Sequence, residues 1–161
     1  MAKSTTKNTT TEFDLEKIRR FTETELAKLA NNELPMCYQI GTDVLVGSSK
    51  VVKVDEYTWR VFYQGQQIFD FFNRKDAIFY CIAVHQKQHK LAQDIQTQDT
   101  ALNKLEFEAS LYRHRYKRAN ETNDEWGAEY FSNRYTETMH KLAQVKKELQ
   151  KTLNLAKYIK V

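Results

Sequence analysis

Cys81, His85 and His89 follow one another at steps of four residues, so on a helix they share one face. A thiolate and two imidazoles in that arrangement could supply three ligands to zinc. The same stripe is also the one the segment needs for packing on a sheet. No glutamate accompanies the histidines as in a metalloprotease HExxH helix, and Cys37 could complete a tetrahedral set only through the tertiary fold. Ordinary packing is the stronger reading of the trio, and no cofactor is expected.

A second constellation is Tyr112-Arg113-His114-Arg115-Tyr116-Lys117-Arg118. Arg113, Arg115, Lys117 and Arg118 could grip phosphates while the tyrosines stack on bases, which would make a nucleic-acid contact. Cations near a helix C-terminus also complement the macrodipole, and both tyrosines fall on an apolar seam, so the stretch has a purely structural reading too. With 25 basic and 21 acidic residues the net charge is +4, which permits an acidic partner without demanding one. Lys141, Lys146, Lys147, Lys151, Lys157 and Lys160 share their stretch with Glu137 and Glu148 and read as a solvated face.

Trp126, Tyr130 and Phe131 cluster where a hairpin tip is expected, far from any head domain that could cover them. They are candidate anchors for a protein partner, the alternative being that Trp126 staples the loop over Tyr116 and Ala119. Tyr158 and Ile159 keep apolar residues to the end of the sequence, which predicts a docked C-terminus, on the head or on a neighbour.

Motifs for enzyme chemistry are missing. The chain has no phosphate-cradling glycine loop, nucleophile elbow or metalloprotease helix, and its four glycines leave little loop backbone for an active site. Asp55-Glu56 and Glu106 with Glu108 read as solvated carboxylates. The expected role is therefore non-catalytic.

The elements that must position these residues follow from patterning. The chain has 161 residues, 41% of them hydrophobic, enough for one domain or a head with an extension. Residues 1–11 read as a disordered tail, lacking the apolar core of a signal peptide. The two cysteines are too few for a disulfide framework, which favours a reducing, cytoplasmic setting. No apolar run approaches a membrane span.

An α+β head is expected over 12–96. Thr11 with Asp14 resembles a capping box, and Leu15, Ile18, Phe21, Leu26 and Leu29 predict a helix over 12–31, ended ahead of Pro35. Residues 36–72 are rich in aromatic and β-branched types, and predict a small antiparallel meander of three or four strands with turns at Gly47-Ser48-Ser49, Asp55-Glu56-Tyr57 and Gln64-Gly65-Gln66. Alternation sets Trp59, Val61 and Tyr63 on one face and Arg60 and Phe62 on the other. Asn73 then caps a helix that covers the sheet.

Residues 97–161 read as a long antiparallel helical hairpin with a coiled-coil-like seam. Leu91, Ile95, Gln98, Leu102, Leu105, Ala109, Tyr112, Tyr116 and Ala119 alternate steps of four and three, and Phe131, Tyr135, Thr138, Leu142, Val145, Leu149, Thr152, Ala156 and Ile159 repeat the rhythm. Residues 120–124 are the polar connection. The second seam spans about 40 Å, and matching it requires the first arm to reach back to about Val84. The helix opened at Arg74 is therefore expected to run on through 97–100 into the hairpin.

The order YQIG, a short hairpin, DEYTWRVFYQGQQIFDF, a helix containing AIFYCIAVH, and an arm pair ending LAKYIKV resembles small uncharacterised proteins encoded by T4-like phages of marine bacteria, over Tyr38 to Val161. The resemblance implies a virion or infected-cell setting and raises assembly among binding roles. It brings no catalytic or binding residue. The expectation is thus an interaction or assembly protein whose partners are protein subunits, self or other, with nucleic acid as the alternative.

Overall fold

The computed structural model describes residues 10–156 and 158–160, with side chains from residue 13 to residue 156 apart from residue 31. The fold is α+β: a six-stranded mixed sheet with long helices on one side. Short strands β1 (Thr10–Glu12) and β2 (Arg19–Phe21) flank a single 3-10 turn at Leu15–Lys17, and α1 (Glu23–Ala27) follows. Five consecutive strands then form an antiparallel run: β3 (Cys37–Ile40), β4 (Asp43–Val46), β5 (Ser49–Asp55), β6 (Thr58–Tyr63) and β7 (Gln66–Phe71). β2 joins its edge in parallel, pairing Arg19 with Tyr38 and Phe21 with Ile40.

The helix expected over 12–31 does not form. Asp14 caps only the 3-10 turn, by accepting from the Glu16 amide, while the capping box belongs to Thr22 and Glu25. In place of one amphipathic helix the segment supplies Phe21, 5% exposed and edge-on to Tyr38, with Ile18 and Leu15 packed on the core. The meander likewise has five strands where three or four were expected, because Gly41-Thr42 makes a further hairpin turn with Gly41 at φ +58°. Thr10 and Thr11, assigned to a disordered tail, lie in β1; the rest of that expectation, residues 1–9, lies outside the described residues.

Hairpin chemistry sets the register. Gln64 and Gly65 both have positive φ, +49° and +80°, the paired left-handed geometry of a tight turn matched to strand twist. Alternation in β6 holds: Val61 is buried, Trp59 packs against the core, and Arg60 forks onto Asp70 on the opposite face at 2.8 and 3.1 Å. A register shift between Val61 and Phe62 bulges the pairing with edge strand β7, which makes that edge a poor template for another chain.

α2 (Arg74–His85) lies on the sheet, capped by Asn73 accepting from the Lys75 amide at 2.9 Å. It is buried on more than one face: Asp76, Ala77, Ile78, Phe79, Cys81, Ile82 and Ala83 are all inside. A helix buried all round needs cover on both sides. The sheet supplies one layer through Val44, Val46, Val51, Val61 and Phe71. The bases of α3 (His89–Glu121) and α4 (Glu125–Ala156) supply the other through Ala92, Ile95, Leu149, Leu153 and Ala156.

α3 is unbroken through 97–100, but it does not continue α2. The break comes earlier. Lys87 takes φ +60°, the Gln88 amide reaches back to the Ala83 carbonyl at 2.8 Å, and the Lys87 amide bonds Val84 at 3.0 Å. These are the two bonds of a Schellman stop. The same motif ends α3, with Asn123 at φ +57° and the Asp124 amide on the Ala119 carbonyl at 2.9 Å. Asp124 then caps α4 by accepting from the Gly127 amide at 2.9 Å, so one residue serves both helices and the connection needs only residues 122–124.

α3 and α4 pack side by side along their length. Ile95, Ala109, Ala119, Thr138, Leu142, Leu149, Thr152 and Ala156 are buried between them or at their base, following the expected seam. The seam ends at Ala156. Ile159 is instead in β8 (Tyr158–Lys160), which pairs antiparallel with β1, Thr11 opposite Ile159, and so ties the last described strand to the first.

Candidate interaction surface at the helical tip

From its base in the core α3 extends 33 residues, about 50 Å, and carries its last turns clear of the sheet. On α4, Trp126, Tyr130 and Arg134 fall at successive steps of four, which places them in one row. The Trp126 and Tyr130 rings stack at 5.4 Å with 10° between planes, and the Arg134 guanidinium sits 5.4 Å from the Tyr130 centroid. Trp126 is 75% exposed, and no ring contact joins it to Tyr116 among the described residues. The loop-staple alternative is therefore not realised.

Phe131 belongs half to the seam and half to this face. It stacks on Tyr112 across the helix pair at 6.5 Å, meets Tyr130 edge-on at 5.3 Å, and carries the Arg115 guanidinium at 5.8 Å. The structure thus brings Trp126, Tyr130, Phe131, Arg115 and Arg134 into one aromatic-cationic face. Arg134, which the sequence reading passed over, was legible as the third member of the four-residue row.

The basic patch does not converge. Arg113, Arg115, Lys117 and Arg118 are all exposed, but Arg113 and Arg115 point about 200° apart around the helix. Arg113 lies beside Tyr116, Ser132 and Tyr135 in one hollow, and Lys117 and Arg118 line another with His114 and Glu121. Cations spread around a helix make no single phosphate groove. Glu121, Asp124, Glu125 and Glu129 add negative charge at the same tip.

The zinc trio does not converge: His85 and His89 line one hollow beside the Gly47 turn, and Cys81 is not among its lining residues. Cys81 is fully buried in the sheet-facing core, where burial pushes its thiol up to about 12 against the release of a thiolate. His85 ends α2 and leans over the Gly47 turn, so closely that a Cβ on Gly47 would collide with its Nδ1. His89 follows the Lys87 break and opens α3, so it shares no helix face with the other two. Among the described residues no group of three His, Cys, Asp or Glu side chains could hold a metal ion.

Tyr158 and Ile159 contribute backbone pairing to β1; their side chains lie outside the described residues. Among the described residues no helix is long and apolar enough to cross a membrane. Comparison with protein-family models, with curated proteins and with solved structures finds no significant match.

Proposed function

We propose that the protein is a non-catalytic interaction or assembly module, which presents the tip of its helical pair to another protein subunit. The observation that supports this reading is the exposed Trp126–Tyr130–Arg134 row, held about 20–35 Å beyond the buried Ile95 by the packed pair α3 and α4. Tryptophan, tyrosine and arginine are the side chains that most often carry binding energy at protein interfaces. Apart from its stacking on Tyr130, an indole left 75% exposed buries little surface within the chain and is open to a partner.

The resemblance to proteins of T4-like phages adds a setting, the virion or the infected-cell cytoplasm, in which such a module would join or organise subunits. A photo-crosslinking amino acid at position 126, expressed in the native host, tests the reading directly. A discrete protein adduct identified by mass spectrometry is the expected result, and no adduct above that of a control position on the α4 base overturns it. Fixed stoichiometry in purified particles would support the virion setting, and absence from them would remove it.

The alternative, a nucleic-acid contact through Arg113, Arg115, Lys117 and Arg118, draws support from all four being exposed. It weakens on their divergence around α3. Filter binding to single-stranded oligonucleotides separates the two readings: strong, salt-dependent retention lost on substituting the three arginines by alanine would favour the alternative.

A further inference from the structure

We propose that the partner at the tip is a second copy of the same chain, docked about a two-fold axis parallel to α4. The inference rests on the interaction reading above and names its partner.

The argument is the order of groups around α4. Successive residues are set about 100° apart, so Glu125 and Glu129 flank one side of the Trp126–Tyr130 row. Arg134 and then Phe131, with Arg115 over its ring, flank the other. The face therefore reads acid, aromatic, cation from one edge to the other. A two-fold along the helix direction leaves height unchanged and exchanges the edges. Trp126 and Tyr130 then meet their own counterparts, and Glu129 of each copy faces Arg115 of the other at the same height, with Glu125 one turn above adding to the acidic edge. Self-complementarity of this kind is what an isologous interface requires.

The cations suit the role. Arg115 has no ion-pair partner among the described residues, and Arg134 has only Glu137, at 3.7 Å with both groups largely exposed. Arg115 lies 5.8 Å from the Phe131 centroid and keeps its charge for a carboxylate of another chain, while Arg134 also donates to the Tyr130 hydroxyl and so fixes the ring row beside it. A polyanion fits less well, because it would also meet the acidic edge.

Sedimentation equilibrium from micromolar to near-millimolar protein tests this. A reversible monomer–dimer equilibrium, weakened by salt and shifted at least tenfold toward monomer by Trp126→Ala, is expected. Two charge-reversed variants sharpen it: Glu125→Lys with Glu129→Lys, and Arg115→Glu with Arg134→Glu. Each alone should be monomeric with unchanged circular dichroism, and the two mixed should form a one-to-one heterodimer. Wild-type protein that stays monomeric throughout, or a dimer indifferent to Trp126→Ala, overturns the proposal. If that monomer also binds an oligonucleotide and loses it in the Arg115→Glu, Arg134→Glu variant, the protein-interaction reading falls as well.

Discussion

Asp76, in the first turn of α2, and Asp99, in α3, share a hydrogen bond in the protein interior, each only 1% exposed. Asp99 also accepts from the Phe72 amide at 3.1 Å, which favours its charged form. Asp76 Oδ2 is buried with no donor to accept from, so it is best served by carrying a proton itself. The pair therefore reads as carboxylic acid and carboxylate, joining the end of β7, α2 and α3 with one shared proton. Lys75 opposes the protonation and Glu106 of α3 adds to it.

The consequence is an inverted pH dependence. Burial first, then the hydrogen bond and charge of Asp99, push Asp76 from 3.8 up to about 8. Between those values the folded chain holds a proton that the unfolded chain has released, so stability falls as pH rises through the window. Denaturant midpoints should be higher at pH 5 than at pH 8. Asp76→Asn, which keeps a donor toward Asp99 without a charge, should flatten the slope. A midpoint that rises from pH 5 to pH 8 would rule out the shared proton.

The two thiols should be silent. Cys37 and Cys81 are both buried, and desolvation pushes each to about 12. Neither is a thiolate at neutral pH, and neither is reachable. Ellman's reagent should find no reactive thiol in native protein and both in guanidinium. Rapid labelling of either cysteine without denaturant would show that the core above α2 opens readily.

Gly47 should tolerate no side chain. Its φ of +56° costs an L-residue about 1–2 kcal/mol. A Cβ would in addition strike the His85 ring. Gly47→Ala should therefore destabilise by about 2–3 kcal/mol. Shortening His85 to alanine in the same chain should recover the steric part and leave the backbone part. Thermal melts of the four proteins in this cycle measure the coupling; simple additivity would mean that His85 swings away freely.

How much of this was legible in the sequence depends on whether the deciding contacts are local. The α3–α4 seam could be read because its apolar positions recur on one helix face, and the tip turn because Asn123 is a residue that accepts left-handed geometry. The break after α2 could not, since lysine carries no such signal and the Schellman bonds at Lys87 differ from those at Asn123 only in the side chain. Residues 12–31 failed for another reason. Leu15, Ile18 and Phe21 sit at spacings a helix would use, but they are held by packing on the core and by the parallel pairing of Arg19–Phe21 with Tyr38–Ile40, which no local pattern encodes. At the tip, the aromatics were evident from composition, whereas their union with Arg115 needed both arms in place.

Lys87 gives that last contrast a measurable form. An exposed lysine at φ +60° bears a backbone cost of about 1 kcal/mol that glycine would not, and its side chain enters neither the core nor an ion pair among the described residues. Lys87→Gly should raise stability by about 1 kcal/mol, seen as a higher melting temperature, less the extra entropy that glycine gives the unfolded chain. Lys87→Val, with a β-branched side chain least suited to the left-handed region, should lower it by a similar amount. If the two variants melt alike, the α2–α3 junction is not held in a left-handed stop, and the helices would be free to join as one.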